Sequence, residues 1–287
     1  LMARAGAAVA DWLGNRTLPG KVVLFCAGPG NNGGDAAVAA TLLHQRGIPV
    51  VFWLFADPSA LAGPAHDAYR ALSAAGVAVT TLRAGEPLPA APAATGWIVD
   101  GLFGIGLDRA LDANWTATIN QLNAVAAAAR HPILAIDVPS GLNADHGAAD
   151  TAIVAAATLT MLGDKTGLHT GDGRYFSGSV EVCDLGALTL DGVAMPTPVA
   201  RLSGDDAMPI LLPQRTHRSH KGSSGGVAIV GGANGMTGAA ILAGRAALKS
   251  GAGRVWCALL ADSVPPFDPL QPELMLRSAA AALPDGL

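Results

Sequence analysis

Three polar turns hold most of the residues of this chain that could do chemistry. They are Gly28-Pro-Gly-Asn-Asn-Gly-Gly-Asp35, Asp100-Gly-Leu-Phe-Gly-Ile-Gly-Leu-Asp-Arg109 and Asp137-Val-Pro-Ser-Gly-Leu-Asn-Ala-Asp145. Asn31, Asn32, Asp35, Asp100, Asp137 and Ser140 offer oxygen ligands, which suit a hard cation rather than zinc or copper. No His/Cys pair has metal-ligand spacing. Gly28, Gly30 and Gly33 also fit G-x-G-x-x-G, a dinucleotide fingerprint that is weak alone. Each turn has a plain structural reading too: Asn32 as a helix N-cap, Asp100 and Asp137 as Asx-turns. Lys165, in Gly163-Asp-Lys-Thr-Gly-Leu168, follows a strand-like run and is placed to reach a phosphate or a nicotinamide amide, with a solvated lysine as the alternative. His217 and His220 form the one local histidine cluster and read as a basic surface loop. Neither a G-x-S-x-G elbow nor a G-x-x-x-x-G-K-[ST] loop occurs, so serine-hydrolase and Walker-type ATPase chemistry lack support.

The elements that must position these residues alternate. Strand patterns at 21–27, 50–55, 77–81, 97–100, 133–137, 157–162 and 180–184 are interleaved with helical patterns at 36–46, 65–75 and 115–130. A Pro/Ala/Gly-rich loop spans 84–96. Such alternation predicts an α/β fold with a doubly wound, mostly parallel, Rossmann-like sheet. In that architecture ligands bind beyond the carboxyl ends of the strands, where strand order reverses. All three turns follow strands and are expected to meet there. Backbone N–H groups at the start of the helix after 28–35 favour an anion.

Residues 186–215 lose the periodicity. A second strand–glycine turn–helix–strand series begins at Gly225. We therefore expect two domains, 1–200 and 201–287, the second incomplete, since one βαβ unit with a tail cannot cover a parallel sheet. Both ends read as cut: the chain opens inside an amphipathic pattern, Leu1–Leu13, with no capping residue before it.

The composition, 51% hydrophobic and 14% charged, predicts a substantial core. With a net charge of −4 and no strongly basic run, nucleic acid is not expected as the partner. No apolar stretch reaches membrane-spanning length, and no secretory signal opens the chain. Cys26, Cys183 and Cys257 sit in strand-like runs without C-x-x-C spacing and read as buried thiols of a reducing, cytoplasmic compartment.

The order Asn31-Asn-Gly-Gly-Asp35, Asp100-Gly-Leu-Phe-Gly-Ile-Gly-Leu107, Asp137-Val-Pro-Ser-Gly-Leu-Asn143, with Leu1–Gly6 and Gly163–Gly167, resembles the NAD(P)H-hydrate epimerase domain. His220–Gly225, Gly231–Ala239, Gly251–Gly253 and Gln271–Met275 resemble the start of the ADP-dependent NAD(P)H-hydrate dehydratase domain, which has a ribokinase-like α/β fold. Together they are similar to the bifunctional NAD(P)H-hydrate repair family. The resemblance implies repair of hydrated NADH and NADPH: R and S epimers are interconverted, and the S form is dehydrated at the expense of ADP with magnesium. It implies a potassium ion on Asn32, Asp100 and Ser140. It implies hydrate contacts by Asn31, Asn32, Gly33, Gly34 and Asp35, by Gly104, Ile105, Gly106, Leu107, Asp108, Arg109 and Ala110, by Asp137, and in the second domain by Ala239. Ala36 stands where the family usually has glycine. The family's nucleotide motifs lie beyond residue 287, so dehydration is expected of a longer parent. Asp137 is expected as general acid/base with Lys165 as its partner, and a homo-oligomer acting on a small molecule is expected. Two alternatives remain: a nicotinamide dehydrogenase using Gly28, Gly30 and Gly33 with Asp57 on the ribose, and a non-catalytic dinucleotide-binding scaffold.

Overall fold

The computed structural model describes residues 1–106, 110–186, 197–204 and 217–282. The chain divides into two units, Leu1–Pro198 and Val199–Leu287.

The first unit is built on β1 (Val22–Ala27), β2 (Val50–Leu54), β3 (Val79–Thr81), β4 (Thr95–Gly101), β5 (Ile133–Ile136), β6 (Ala157–Met161) and β7 (Ser179–Cys183). They form one sheet in the order β3-β2-β1-β4-β5-β6-β7, every neighbouring pair parallel. After β3 the chain returns to the far side of β1, so strand order reverses between β1 and β4. The apolar runs explain the placement. Strand β1 is buried on both faces: Val23, Phe25 and Ala27 pack into one core, Leu24 and Cys26 into the other. Helices α1 (Met2–Gly14), α2 (Asn31–Gln45) and α3 (Gly63–Ala74) cover the first face, and α4 (Ala113–Ala129) the second. Leu88 and Ala91 of the proline-rich loop help cover that second face. A right-handed crossover places helices on opposite faces when the winding direction changes, as it does here. A short helix, α5 (Gly173–Phe176), precedes β7.

One local expectation is overturned. The segment 31–35 is the first turns of α2, and the loop is only Gly28–Gly30. Two glycines and two asparagines read as a turn by propensity, but close packing decides otherwise. A Cβ on Gly33 would sit 2.0 Å from the Gly28 carbonyl oxygen, and one on Gly28 would sit 2.0 Å from that of Leu102. These glycines let turn, helix and β4 lie against one another rather than against a ligand. Helix α1 docks equally closely: a Cβ on Gly6 would meet the Val38 side chain at 2.4 Å and the Asp35 carbonyl oxygen at 3.0 Å.

The second unit has a parallel sheet in the order β10-β9-β8, from β8 (Gly226–Gly231), β9 (Arg254–Leu259) and β10 (Met275–Ser278). Helix α6 (Thr237–Lys249) joins β8 to β9, and α7 (Ala279–Ala282) follows β10. Strand β10 extends the single βαβ unit expected from sequence. Asp268, which is buried, accepts two 2.6 Å bonds from the Arg245 guanidinium, which holds its carboxyl below the usual carboxylate range.

Candidate active site

The carboxyl ends of β1, β4, β5 and β6 converge at the strand-order reversal. The turn after β4 begins with Asp100, which is 1% exposed. Its Oδ1 accepts from the Ser140 hydroxyl at 2.6 Å and from the Leu102 N–H at 3.2 Å, and its Oδ2 from the Ser140 N–H at 2.8 Å. Burial raises the Asp100 carboxyl to about 6, against the pull of these hydrogen bonds. The Phe103 N–H donates to Ser140 Oγ at 2.9 Å, which ties the second turn to the third.

Asn32 completes this knot. Its Nδ2 donates to the carbonyls of Phe103 at 2.6 Å and Ile136 at 3.1 Å. Two carbonyl acceptors fix the orientation of the amide. Asn32 Oδ1 is then a buried acceptor with no partner. An N-cap role for Asn32 is corrected: Gly30 occupies the cap position, and no side chain bonds the helix end.

Asp137 is built differently. Its φ is +67°, and the Val138 N–H donates to the Ile136 carbonyl at 2.8 Å. This is a γ-turn of the rare positive-φ form, a strained conformation for a residue with a side chain. Leu162, after β6, repeats it with φ +67° and a 2.8 Å bond from the Gly163 N–H to the Met161 carbonyl. Asp137 Oδ1 accepts from the Lys165 ammonium at 2.5 Å and from the Met161 N–H at 3.0 Å. The same ammonium donates to Thr160 Oγ1 at 2.8 Å and the Met161 carbonyl at 2.7 Å, which uses all three of its protons. No hydrogen bond reaches Asp137 Oδ2 among the described residues. Lys165 is thus not a free phosphate-seeking side chain.

Asn31, Asn32, Asp35, Gly104, Ile105, Gly106 and Asp137 line one cavity of about 930 Å³ with Leu102, Met161 and Leu162. That volume suits a large organic ligand. The first N–H groups of α2 lie at its edge and, lacking intrahelical partners, can accept an anion. Asp35 stands in its wall, and burial together with the charge of Asp137 raises its carboxyl to about 7. Gly33 and Gly34 are buried in α2, where they serve packing. Ala110 lines a separate cavity of about 350 Å³ with Thr116 and Asp150, and Leu107, Asp108 and Arg109 lie outside the described residues. Ala239 is exposed near the start of α6 in the second unit. Sequence reading passed over Phe103, Thr160 and Met161, whose roles rest on backbone atoms or on a second strand. Only the place of Phe103 inside the second turn signalled any of them.

Asp57 does not line the cavity. Its Oδ1 accepts from the Ser59 N–H at 2.8 Å and hydroxyl at 2.7 Å, capping a short helical turn. His217 and His220 are exposed, as a basic loop would be.

Strand order and site together define a Rossmann-like α/β domain with its polar centre at the switch point. The chain belongs to the family described as YjeF-related protein N-terminus, whose model matches residues 1–167. It is 44% identical over 191 residues to an NAD(P)H-hydrate epimerase of Achromobacter xylosoxidans, covering 66% of this chain and 86% of that protein. It is 36% identical over 283 residues to the bifunctional NAD(P)H-hydrate repair enzyme Nnr of Coxiella burnetii, covering 98% of this chain and 56% of that protein. The chain thus spans about half the length of that bifunctional relative. The crystal structure of yeast ynu0 (YNL200c) superposes with a TM-score of 0.52 at 27% identity, covering 61% of this chain and 75% of that one.

Proposed function

We propose that the first unit epimerises the R and S forms of hydrated NADH and NADPH. The observation that carries this reading is the Asp137–Lys165 pair at the wall of a cavity large enough for a dinucleotide, beside the N-terminus of α2. The names of relatives matched over 98% and 66% of this chain point the same way. Asn31, Asn32, Asp35 and Gly104 to Gly106 bind the hydrate, with the phosphates at the helix N-terminus. Asp137 moves a proton at the hydrated ring through Oδ2. Lys165 is a positioning residue that anchors Oδ1 and compensates its charge. Thr160 and Met161 hold the lysine.

The Asn32–Asp100–Ser140 knot fits a potassium ion. It holds a buried carbonyl oxygen, Asn32 Oδ1, joined through Phe103 to a buried carboxylate; among the described residues the oxygen has no partner and the carboxylate no cationic side chain. Asn32, Asp100 and Ser140 would hold the ion, which would supply fixed positive charge beside the turns that carry Phe103 and Gly104.

The match to the bifunctional relative covers 98% of this chain and so takes in the second unit, which we assign to an ADP- and magnesium-dependent dehydratase domain of ribokinase-like fold in which Ala239 contacts the hydrate. A cytoplasmic homo-oligomer is part of the same reading; among the described residues no helix is long and apolar enough to cross a membrane. The test is incubation of the chain with R-hydrate and chromatographic detection of the S form above the spontaneous rate. Binding that stabilises the protein without turnover supports a scaffold instead, and alcohol-dependent reduction of NAD supports a dehydrogenase.

A further inference from the structure

We infer that epimerisation here uses two carboxylates, Asp137 as base on the ring hydroxyl and Asp35 as acid on the ring nitrogen, so that the hydrate inverts by opening and reclosing its ring. This rests on the epimerase reading above. Both residues line the same cavity from separate elements, Asp35 from α2 and Asp137 from the γ-turn after β5. Their surroundings are opposite. Asp137 has Lys165 on Oδ1 and leaves Oδ2 without a partner, toward Gly104. Asp35 has no basic side chain on it among the described residues. Burial, and after it the charge of Asp137, raise its carboxyl to about 7. Paired carboxylates in contrasting environments divide into acid and base. The position of Asp35 is also fixed, because α1 crosses α2 at Gly6 with no room for a Cβ beside Val38 and the Asp35 carbonyl.

The chemistry needs both groups. Water added across the ring double bond next to nitrogen leaves a hydroxyl on the carbon that bears the nitrogen. Such a centre inverts without breaking its C–H bond. Asp137 takes the hydroxyl proton, and the O–H electrons form a C=O bond. The C–N bond breaks, its electron pair passes to nitrogen, and nitrogen takes the Asp35 proton. Rotation about the adjacent carbon–carbon bond turns the aldehyde over. Nitrogen then attacks the other face and returns its proton to Asp35, while the oxygen takes one from Asp137. Both carboxyl groups end as they began, and no water is consumed. Leu102, Met161 and Leu162 give the cavity an apolar wall beside the reacting ring.

The experiment compares wild type, Asp35→Asn, Asp35→Glu and Asp137→Asn on R-hydrate, from pH 5 to 9 and in ¹⁸O-labelled water, with substrate-induced thermal shift as a check on folding and binding. A group that donates while protonated loses activity as pH rises through its pKa, so wild-type kcat/KM is expected to fall above pH about 7. Asp35→Asn is expected to lose that limb and about 10²–10⁴-fold in kcat while keeping its thermal shift. Asp35→Glu restores part of the rate, and the product carries no ¹⁸O. Wild-type kcat and pH profile in Asp35→Asn, or ¹⁸O in the enzymatic product, overturns the two-carboxylate route alone. No epimerisation by wild type overturns it together with the epimerase reading.

Discussion

Asp100 and Asp137 end neighbouring strands of the same sheet and have opposite surroundings. Asp100 is sealed in, and three hydrogen bonds occupy its oxygens without a cationic side chain. Asp137 is aimed by a strained γ-turn at a cavity, with one oxygen anchored by Lys165 and the other left open. A carboxylate with every oxygen bonded and sealed from the substrate cavity can hold a turn or share a buried cation, but it has no path for shuttling protons to a substrate. One with an anchored and an open oxygen can. Sequence spacing treats the two alike, and the geometry separates a supporting carboxylate from a reacting one.

The comparison can be broken in several places. The largest effect away from Asp137 itself is expected from Lys165→Ala. It leaves a mostly buried carboxylate without its cation and costs about 3 kcal/mol of stability, read as a lower denaturant midpoint. Epimerisation should fall with it, and unchanged stability would show that the pair is not formed. Ser140→Ala removes a donor to a fully buried carboxylate and an acceptor for the Phe103 N–H, so it should cost about 1–3 kcal/mol. Potassium should raise the melting temperature of wild type more than lithium does, and the difference should vanish in Ser140→Ala or Asp100→Asn. Equal shifts in all variants would remove the ion from that knot. The smallest effect is expected from Gly104→Ala. A methyl there lies 3.6 Å from Asn32 Cβ and 3.9 Å from Asp137 Oδ2, which are ordinary contacts. Stability should hold while kcat/KM drops by less than about a hundredfold, through displacement of substrate from Oδ2.

The predictions also mark what was legible in the sequence. Alternating strand and helix patterns, each followed by a polar turn, placed Asp100, Asp137 and Asn32 at one sheet edge, because a parallel α/β sheet leaves its ligand edge only one location. The pairing of Asp137 with Lys165 was expected as a partnership, though its three-way anchoring was not. The helical state of 31–35 was hidden, because Gly33 and Gly34 have poor helix propensity and are helical only through close contacts with Gly28 and Met2. The γ-turns at Asp137 and Leu162 were hidden as well, since leucine rarely takes a positive φ and aspartate takes it mostly in αL. Asp35 stood out only as a hydrate contact, because its proton affinity depends on burial and on a carboxylate 102 positions away.

The most direct test of the distinction is to measure R-to-S epimerisation by Asp137→Asn and Ser140→Ala side by side, in saturating potassium at pH 7. We predict that Asp137→Asn loses about 10²–10⁴-fold in kcat while still being stabilised by substrate, and that Ser140→Ala, although less stable, loses far less. A wild-type rate in Asp137→Asn, or a deeper loss in Ser140→Ala, would place the chemistry at the other carboxylate and contradict this account.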